Sequence, residues 1–315
     1  MVQNSHPPTV AAEPITTRVL LEEMDLHWAN NAGLRANTRK RYLTQIRRFL
    51  TAQFPAGDID WAAVTPTAIA GFVTAELQRH SNRSTQRSLC TAIRCLLRYV
   101  QLKHSFPSGT ELLLPRLPQW RQAVLPQILS DNQLKALLAT CSGHLPGDVR
   151  CRSLLLLFTR LGMRTGEVAG LFLDDIDWVG GSILIRGSKN RRDRSLPLPL
   201  DVGEALVAHL RNPRPPTAPR VVFPASLPPF SSTQNYNRVR AEIRKLLRQA
   251  GIRGVRLGAH ALRHTSASTM LNNGASFKEV ADVLGHKSLQ TTAIYAKLDL
   301  THLAAVALPW SGGGQ

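Results

Sequence analysis

Residues 260–295 read HALRHTSASTMLNNGASFKEVADVLGHKSLQTTAIY. The stretch opens with His260 and Arg263, spaced H-x-x-R, and closes with His286 and Tyr295, spaced H-x8-Y. Leu262, Ala267, Met270 and Leu271 form the apolar face of one predicted helix, and Asn273-Gly274 stops it in a left-handed turn. Ser276 with Glu279 three residues on predicts a capping box for the next helix, whose apolar face is Val280, Val283 and Leu284. Gly285 ends that helix, and a short third helix is expected to carry Tyr295.

Those polar residue types suit attack on a phosphodiester. The phosphate is anionic, and more charge gathers on its oxygens at a five-coordinate transition state. Arginine forks neutralise that charge bidentately and stay protonated. A histidine donates to a non-bridging oxygen or takes a proton from the attacking hydroxyl. Tyrosine is a usable nucleophile, but an ordinary pKa near ~10 leaves it protonated at neutral pH. It therefore needs a base or a cationic surround. The segment closely resembles the C-terminal half of the catalytic domain of the tyrosine recombinase (phage integrase and Xer) family. The letters that carry the resemblance are His260-Ala-Leu-Arg263-His264-Thr265, Leu284-Gly285-His286 and Thr291-Thr292-Ala-Ile-Tyr295.

The resemblance requires an arginine and a lysine further upstream. LGMRTGEVAGLFLDDIDW (161–178) is similar to the family's first signature, with Arg164 followed by Glu167. Leu161-Gly162 stands where the family commonly has Thr-Gly. Arg164 is then the first phosphate-binding arginine, and Glu167 a buried partner that orients the site. Strand signals follow over Ile176–Val179, a Gly180-Gly181 turn, Ser182–Arg186 and SLPLPL (195–200), predicting a small antiparallel sheet. Lys189 lies in the second turn, where the family's catalytic lysine lies. It is the only lysine between Lys135 and Lys245, and the resemblance makes it the general acid for the leaving 5′-oxygen. Arg186, Arg191, Arg192 and Arg194 neighbour it as candidates for backbone contacts. Asp174, Asp175 and Asp177 raise a carboxylate metal cluster, but no second cluster is spaced to complete a two-metal site. No metal and no cofactor are expected.

The chain has 315 residues with 43% hydrophobic content, enough for real cores, and a formal charge of +18 from 39 Lys+Arg against 21 Asp+Glu. Such an excess favours a polyanionic partner, nucleic acid first. Cys90, Cys95, Cys141 and Cys151 form no C-x-x-C pair and fit no zinc spacing, so all four are expected as reduced thiols. No signal peptide and no apolar run of membrane length is evident. A cytoplasmic, nucleoid-associated protein without membrane contact follows.

Along the chain, residues 1–17 read as a flexible arm. Residues 18–104 read as a bundle of four or so helices. One runs from Arg18 to about Asn30. A second begins at Asn37-Thr38 with Tyr42, Leu43, Ile46, Phe49 and Leu50 apolar. A third opens at Thr65-Pro66, and a fourth at Ser84. This segment carries Arg39, Lys40, Arg41, Arg47, Arg87 and Arg94, candidate contacts to the phosphates of a duplex. For any one arginine a solvated helix face explains as much; the density favours DNA. Residues 105–127, rich in proline, read as a linker. The second domain, 128–308, begins at a Ser130/Gln133 capping box, with helices over about 131–141, 148–162, 201–211 and 231–250. The tail 309–315 is flexible, and the apolar segment before it is expected to dock in cis or on a neighbouring protomer.

The fold class expected is mainly α with a small antiparallel sheet (α+β), a helical N-terminal DNA-clamp domain preceding a tyrosine-recombinase catalytic domain. The resemblance implies a site-specific recombinase. Tyr295 attacks the scissile phosphate, Arg164 and Arg263 clamp its oxygens, His286 donates to it, and His260 helps move the tyrosine proton. The product is a 3′-phosphotyrosine, and strand exchange proceeds through a Holliday junction with a tetramer on two double-stranded DNA sites. A second recombinase or a DNA-bending accessory protein is a further expected partner. A catalytically silent DNA-binding relative would lack one or more of the six residues, and none is lacking. A type IB topoisomerase shares the tyrosine chemistry, but the L-G-H and T-T-x-x-Y pattern favours recombination. Integration, transposition and dimer resolution remain alternative roles.

Overall fold

The computed structural model describes residues 15–103, 106–107, 109–117, 126–187, 193–213, 220–225, 232–254, 258–286, 288–292 and 294–295. The chain divides into two units, Met1–Trp120 and Arg121–Gln315. It is mainly helical with one small antiparallel sheet.

The first unit is built on four helices, α1 (Thr17–Asn30), α2 (Ala36–Gln53), α3 (Pro66–Arg79) and α4 (Arg83–Lys103). The caps explain most of the boundaries. Thr16 and Thr65 hydroxyls accept from the Val19 and Ala68 backbone N–H groups, each satisfying an orphan donor of a first turn. Helix α4 starts one residue before the expected Ser84, because the Asn82 side chain accepts the Ser84 N–H and acts as the cap. The amphipathic spacing is realised as packing. Ile46, Phe49 and Leu50 of α2 meet Leu89, Ile93, Leu96, Leu97 and Val100 of α4, all buried. Each such side chain contributes about 1.5–3 kcal/mol by leaving water. Among the described residues of this unit one acidic group is buried: Glu76, 2% exposed, is held by Arg48 and Arg79.

The second unit begins where Thr265 Oγ1 accepts the Leu129 backbone N–H and ties the entering chain to a helix 136 residues on. Ser130 and Gln133 then exchange the reciprocal bonds of a capping box and open α5 (Asp131–Ala139). Helix α6 (Pro146–Thr159) starts earlier than expected, with Pro146 in its first turn, a position where the missing N–H costs nothing. It buries Leu154–Phe158 against α8 (Leu200–Leu210). Between them lie the short α7 (Thr165–Ala169) and the sheet.

The sheet runs β1 (Ile176–Asp177), β2 (Ser182–Ile185), β3 (Arg194–Pro197), each antiparallel to the next. Strand β1 is shorter than the expected Ile176–Val179. Asp177 Oδ1 accepts the Val179 and Gly180 N–H groups, and this side-chain turn ends the strand. Strand β2 stops at Ile185, which pairs with Arg194, so β3 begins one residue ahead of the expected Ser195. Lys189, Arg191 and Arg192 lie outside the described residues, as do 214–219, 296–315 at the C-terminus and most of the arm 1–17.

Helices α9 (Ser232–Gln249), α10 (Ala259–Asn272), α11 (Phe277–Leu284) and α12 (Leu289–Thr292) complete the unit. The Ser276/Glu279 box caps α11 as the sequence predicts. Gly274, at φ +91°, turns the chain after α10. The expected short helix is present, and Ile294 and Tyr295 lie in a 3-10 turn just after its α-helical part. Helix α12 ends at Thr292, in a run of β-branched Thr291, Thr292 and Ile294 that favours helix weakly. Tyr295 lies three residues beyond, its ring buried with Ala267, Leu271, Val280 and Leu284.

Candidate active site

Two loops and one helix build the site. Gly162 takes φ +58° between α6 and α7, and a Cβ there would come within 2.6 Å of Leu284. Gly285 takes φ +59° after α11, and a Cβ there would come within 2.8 Å of the Arg194 guanidinium. Both positions combine left-handed backbone with close approach, the combination that only glycine meets without strain.

The arginines are cross-braced through these loops. Arg263, on α10 and 3% exposed, donates to the carbonyls of Gly162 at 2.5 Å and Leu284 at 2.6 Å. Arg164, at the start of α7, donates Nη1–H to Glu167 Oε1 at 2.7 Å and Nη2–H to the Gly285 carbonyl at 3.0 Å. Each guanidinium is thus anchored to a loop more than a hundred residues away in sequence. Burial, then the charge of Arg164, lowers the Arg263 pKa to about 9, which leaves it protonated at neutral pH.

Glu167 is the hinge of the arrangement. One carboxylate oxygen accepts from Arg164 Nη1 and Arg194 Nη1, the other from the Arg164 backbone N–H and Arg194 Nη2. Burial disfavours its charge, but the Arg194 hydrogen bonds and charge, with those of Arg164, outweigh it and bring the pKa down to about 2. Arg194 also donates Nε–H to the Val283 carbonyl at 2.8 Å. It therefore ties β3 to the end of α11 and to the acid that holds Arg164. The sequence placed Arg194 only among candidate backbone contacts; a partner 27 residues upstream leaves no local pattern to read.

Tyr295 is 1% exposed. Its hydroxyl lies 2.7 Å from His264 Nδ1, and the His286 ring lies parallel to its ring with centroids 6.5 Å apart. His286 Nδ1 in turn meets Thr292 Oγ1 at 2.8 Å. Burial raises the Tyr295 pKa to about 12, against the lowering charges of Arg263 and Arg164. His260, one turn before His264 on α10, stacks on it with centroids 5.9 Å apart. The protein packed about its base, then Arg263 and Arg164, hold its pKa below the ordinary value. It also lines a cleft of about 920 Å³ with Arg240, Arg244 and Arg248 of α9, Arg253 and Tyr236. The fold thus brings Arg164, Glu167, His260, Arg263, His286 and Tyr295 together, and adds His264, Arg194 and Thr292. Lys189 cannot be placed, being outside the described residues.

The carboxylates that suggested a metal cluster are each engaged in the fold. Asp174 pairs with Arg220. Asp175, 3% exposed, accepts from the Phe172 N–H and Arg186, and Asp177 forms the β1 turn. Among the described residues no group of three or more His, Cys, Asp or Glu side chains is placed to hold a metal. All four cysteines are free thiols.

Of the basic residues singled out in the first unit, Lys40, Arg41 and Arg47 are exposed. Arg39 is bound to Asp25 at 2.6 Å and to the Leu34 carbonyl. Arg94 donates to the carbonyls of Leu114 and Pro115. Arg87 is half-buried on α4.

The phage integrase family model matches residues 127–302, more than half of the chain. The chain belongs to this family of tyrosine recombinases. The integrase/recombinase candidate y4rA of Sinorhizobium fredii (strain NBRC 101917 / NGR234) is 35% identical to this tyrosine recombinase over 295 residues, 94% of this chain and 71% of that protein. The fold is shared with the XerH site-specific recombinase in a post-cleavage complex with palindromic difH substrate. That match has TM-score 0.67 at 20% identity over 92% of this chain and 83% of XerH. It is shared also with a lambda integrase tetramer bound to a Holliday junction, with TM-score 0.63 at 16% identity over 89% of this chain and 78% of the other. Among the described residues of the recombinase no helix is long and apolar enough to cross a membrane.

Proposed function

We propose that this recombinase cleaves and rejoins DNA strands through a covalent 3′-phosphotyrosine on Tyr295. The observation that carries the reading is the convergence of two braced arginines and two histidines on one buried phenol. Tyr295 attacks the scissile phosphorus. Arg164 and Arg263 take the charge that grows on the non-bridging oxygens, as preorganised donors that need no reorganisation. Their carbonyl and carboxylate anchors keep the guanidinium planes fixed before substrate arrives. Glu167, shared between Arg164 and Arg194, orients the first arginine. His286, positioned by Thr292, donates to the phosphate, and His260 assists proton movement. The family resemblance makes Lys189 the acid for the leaving 5′-oxygen.

In this reading the phosphotyrosine stores the phosphodiester bond, so neither metal nor ATP is needed. Rejoining is attack by a 5′-hydroxyl of the partner strand. Exchange of both strand pairs passes through a Holliday junction and uses four protomers on two double-stranded sites. The helical unit Met1–Trp120 supplies further DNA contacts through the exposed Lys40, Arg41 and Arg47. Arg39 and Arg94 are bound within the fold, to Asp25 and to backbone carbonyls. The reaction serves DNA integration, transposition or dimer resolution. The test is a denaturant-stable protein–DNA adduct on nicked duplexes, present with the wild type and absent with Tyr295→Phe.

A further inference from the structure

We infer that His264 is a further catalytic residue, the group that takes the phenolic proton of Tyr295 as the phosphotyrosine forms. The inference rests on the cleavage chemistry proposed above and concerns where its first proton goes. His264 Nδ1 stands 2.7 Å from the Tyr295 hydroxyl, within reach for direct transfer. The two rings are 5.5 Å apart between centroids and tilted by 60°. The imidazole follows Arg263 directly on α10, so the helix that anchors the buried arginine also fixes the histidine. His260 stands one turn away, stacked on His264, and opens onto the basic cleft.

The protonation states fit a base at rest. Burial, then the neighbouring His260 and Arg263, holds the His264 pKa at about 4, so the ring is neutral at physiological pH. Tyr295, raised to about 12, keeps its proton. With the Nε2–H tautomer the phenol donates to the Nδ1 lone pair. The separation between these values prevents transfer before attack. A phosphate anion arriving beside α10 favours the imidazolium, and bond formation to phosphorus makes the phenolic proton acidic. Transfer therefore accompanies attack. The Tyr295 oxygen bonds to phosphorus, the bond from phosphorus to the 5′-oxygen breaks, and the phenolic proton moves to Nδ1. The leaving oxygen takes its proton from the lysine ammonium assigned as general acid. In rejoining, a 5′-hydroxyl attacks phosphorus and the imidazolium returns its proton to the departing phenolate oxygen.

The test measures adduct formation in single turnover on nicked duplexes tiled across the ends of the genomic segment encoding the protein. The proteins are wild type, Tyr295→Phe, His264→Asn, His264→Ala and His260→Ala, with DNA binding followed in parallel by gel shift. Asn keeps a hydrogen-bond acceptor at this position but cannot carry the proton. The inference expects His264→Asn to bind DNA normally and to form adduct about 10²–10⁴-fold more slowly, the range of general acid–base catalysis. Added imidazole should restore part of the His264→Ala rate, and restore none to His264→Asn, where the side chain still fills the site. Asn within about threefold of wild type would reduce His264 to a hydrogen-bond partner and overturn the inference, leaving the cleavage reading intact. His264→Ala without imidazole rescue, while His260→Ala shows it, would move the base to His260 and overturn it also. No adduct from the wild type on any duplex would remove the cleavage reading itself, and this inference with it.

Discussion

Replacing Glu167 by glutamine removes the charge shared by Arg164 and Arg194 while keeping the side chain's shape. The carboxyl moves from an ordinary 4.5 to about 2 in the folded protein. At roughly 1.4 kcal/mol per pH unit, the charged form contributes about 3 kcal/mol to folding at neutral pH. Because the folded pKa is depressed, this contribution is complete above pH 4.5 and is lost as pH falls through about 2. In a unit of this size 1 kcal/mol moves the melting temperature by roughly 2–4 °C. Glu167→Gln should therefore melt about 6–12 °C below the wild type at pH 7. Thermal unfolding followed by circular dichroism from pH 7 down to pH 3 reads both parts. The gap between the two proteins should be widest at neutral pH and narrow below pH 4.5. A gap under about 2 °C at pH 7, or one that stays constant down to pH 3, would refute the electrostatic account of this pair.

Other perturbations follow from the same geometry. Arg263→Ala leaves the Gly162 and Leu284 carbonyls without their donor and removes one of the two proposed phosphate clamps; strand cleavage should fall by several kcal/mol of transition-state stabilisation, roughly 3–4 from the lost donor alone, and near-normal cleavage rates would count against the clamp. Gly285→Ala meets a left-handed backbone, worth roughly 1–2 kcal/mol, and presses on the Arg194 guanidinium; it should lower both melting temperature and cleavage, and an unchanged cleavage rate would separate Arg194 from the site. Chelator should leave adduct formation unaffected, and inhibition by EDTA would return attention to Asp174, Asp175 and Asp177.

The local structure of the site was legible wherever one residue type serves one backbone need. The Ser276/Glu279 box, the stops at Gly274 and Gly285, and the Thr65-Pro66 start depend on neighbours three or four residues away, and these read directly from spacing. The mutual placement of Arg263 and Arg164 was not legible from spacing alone. Their anchors are the main-chain carbonyls of Gly162, Leu284 and Gly285, and a carbonyl acceptor carries no sequence signature. Arg194 escaped for a related reason, since its partner Glu167 already had a near neighbour in Arg164. Arg39 and Arg94 show the limit of reading charge by density, because each is spent on Asp25 or on backbone oxygens that only the tertiary fold brings near.

The most direct test of the central claim is covalent trapping. Wild type and Tyr295→Phe are incubated with nicked duplexes spanning the ends of the genomic segment that encodes the protein, then denatured and resolved by gel. The account predicts a denaturant-stable protein–DNA adduct with the wild type, mapped by digestion to Tyr295, and none with Tyr295→Phe despite equal binding. An adduct that survives the Tyr295→Phe change would contradict it.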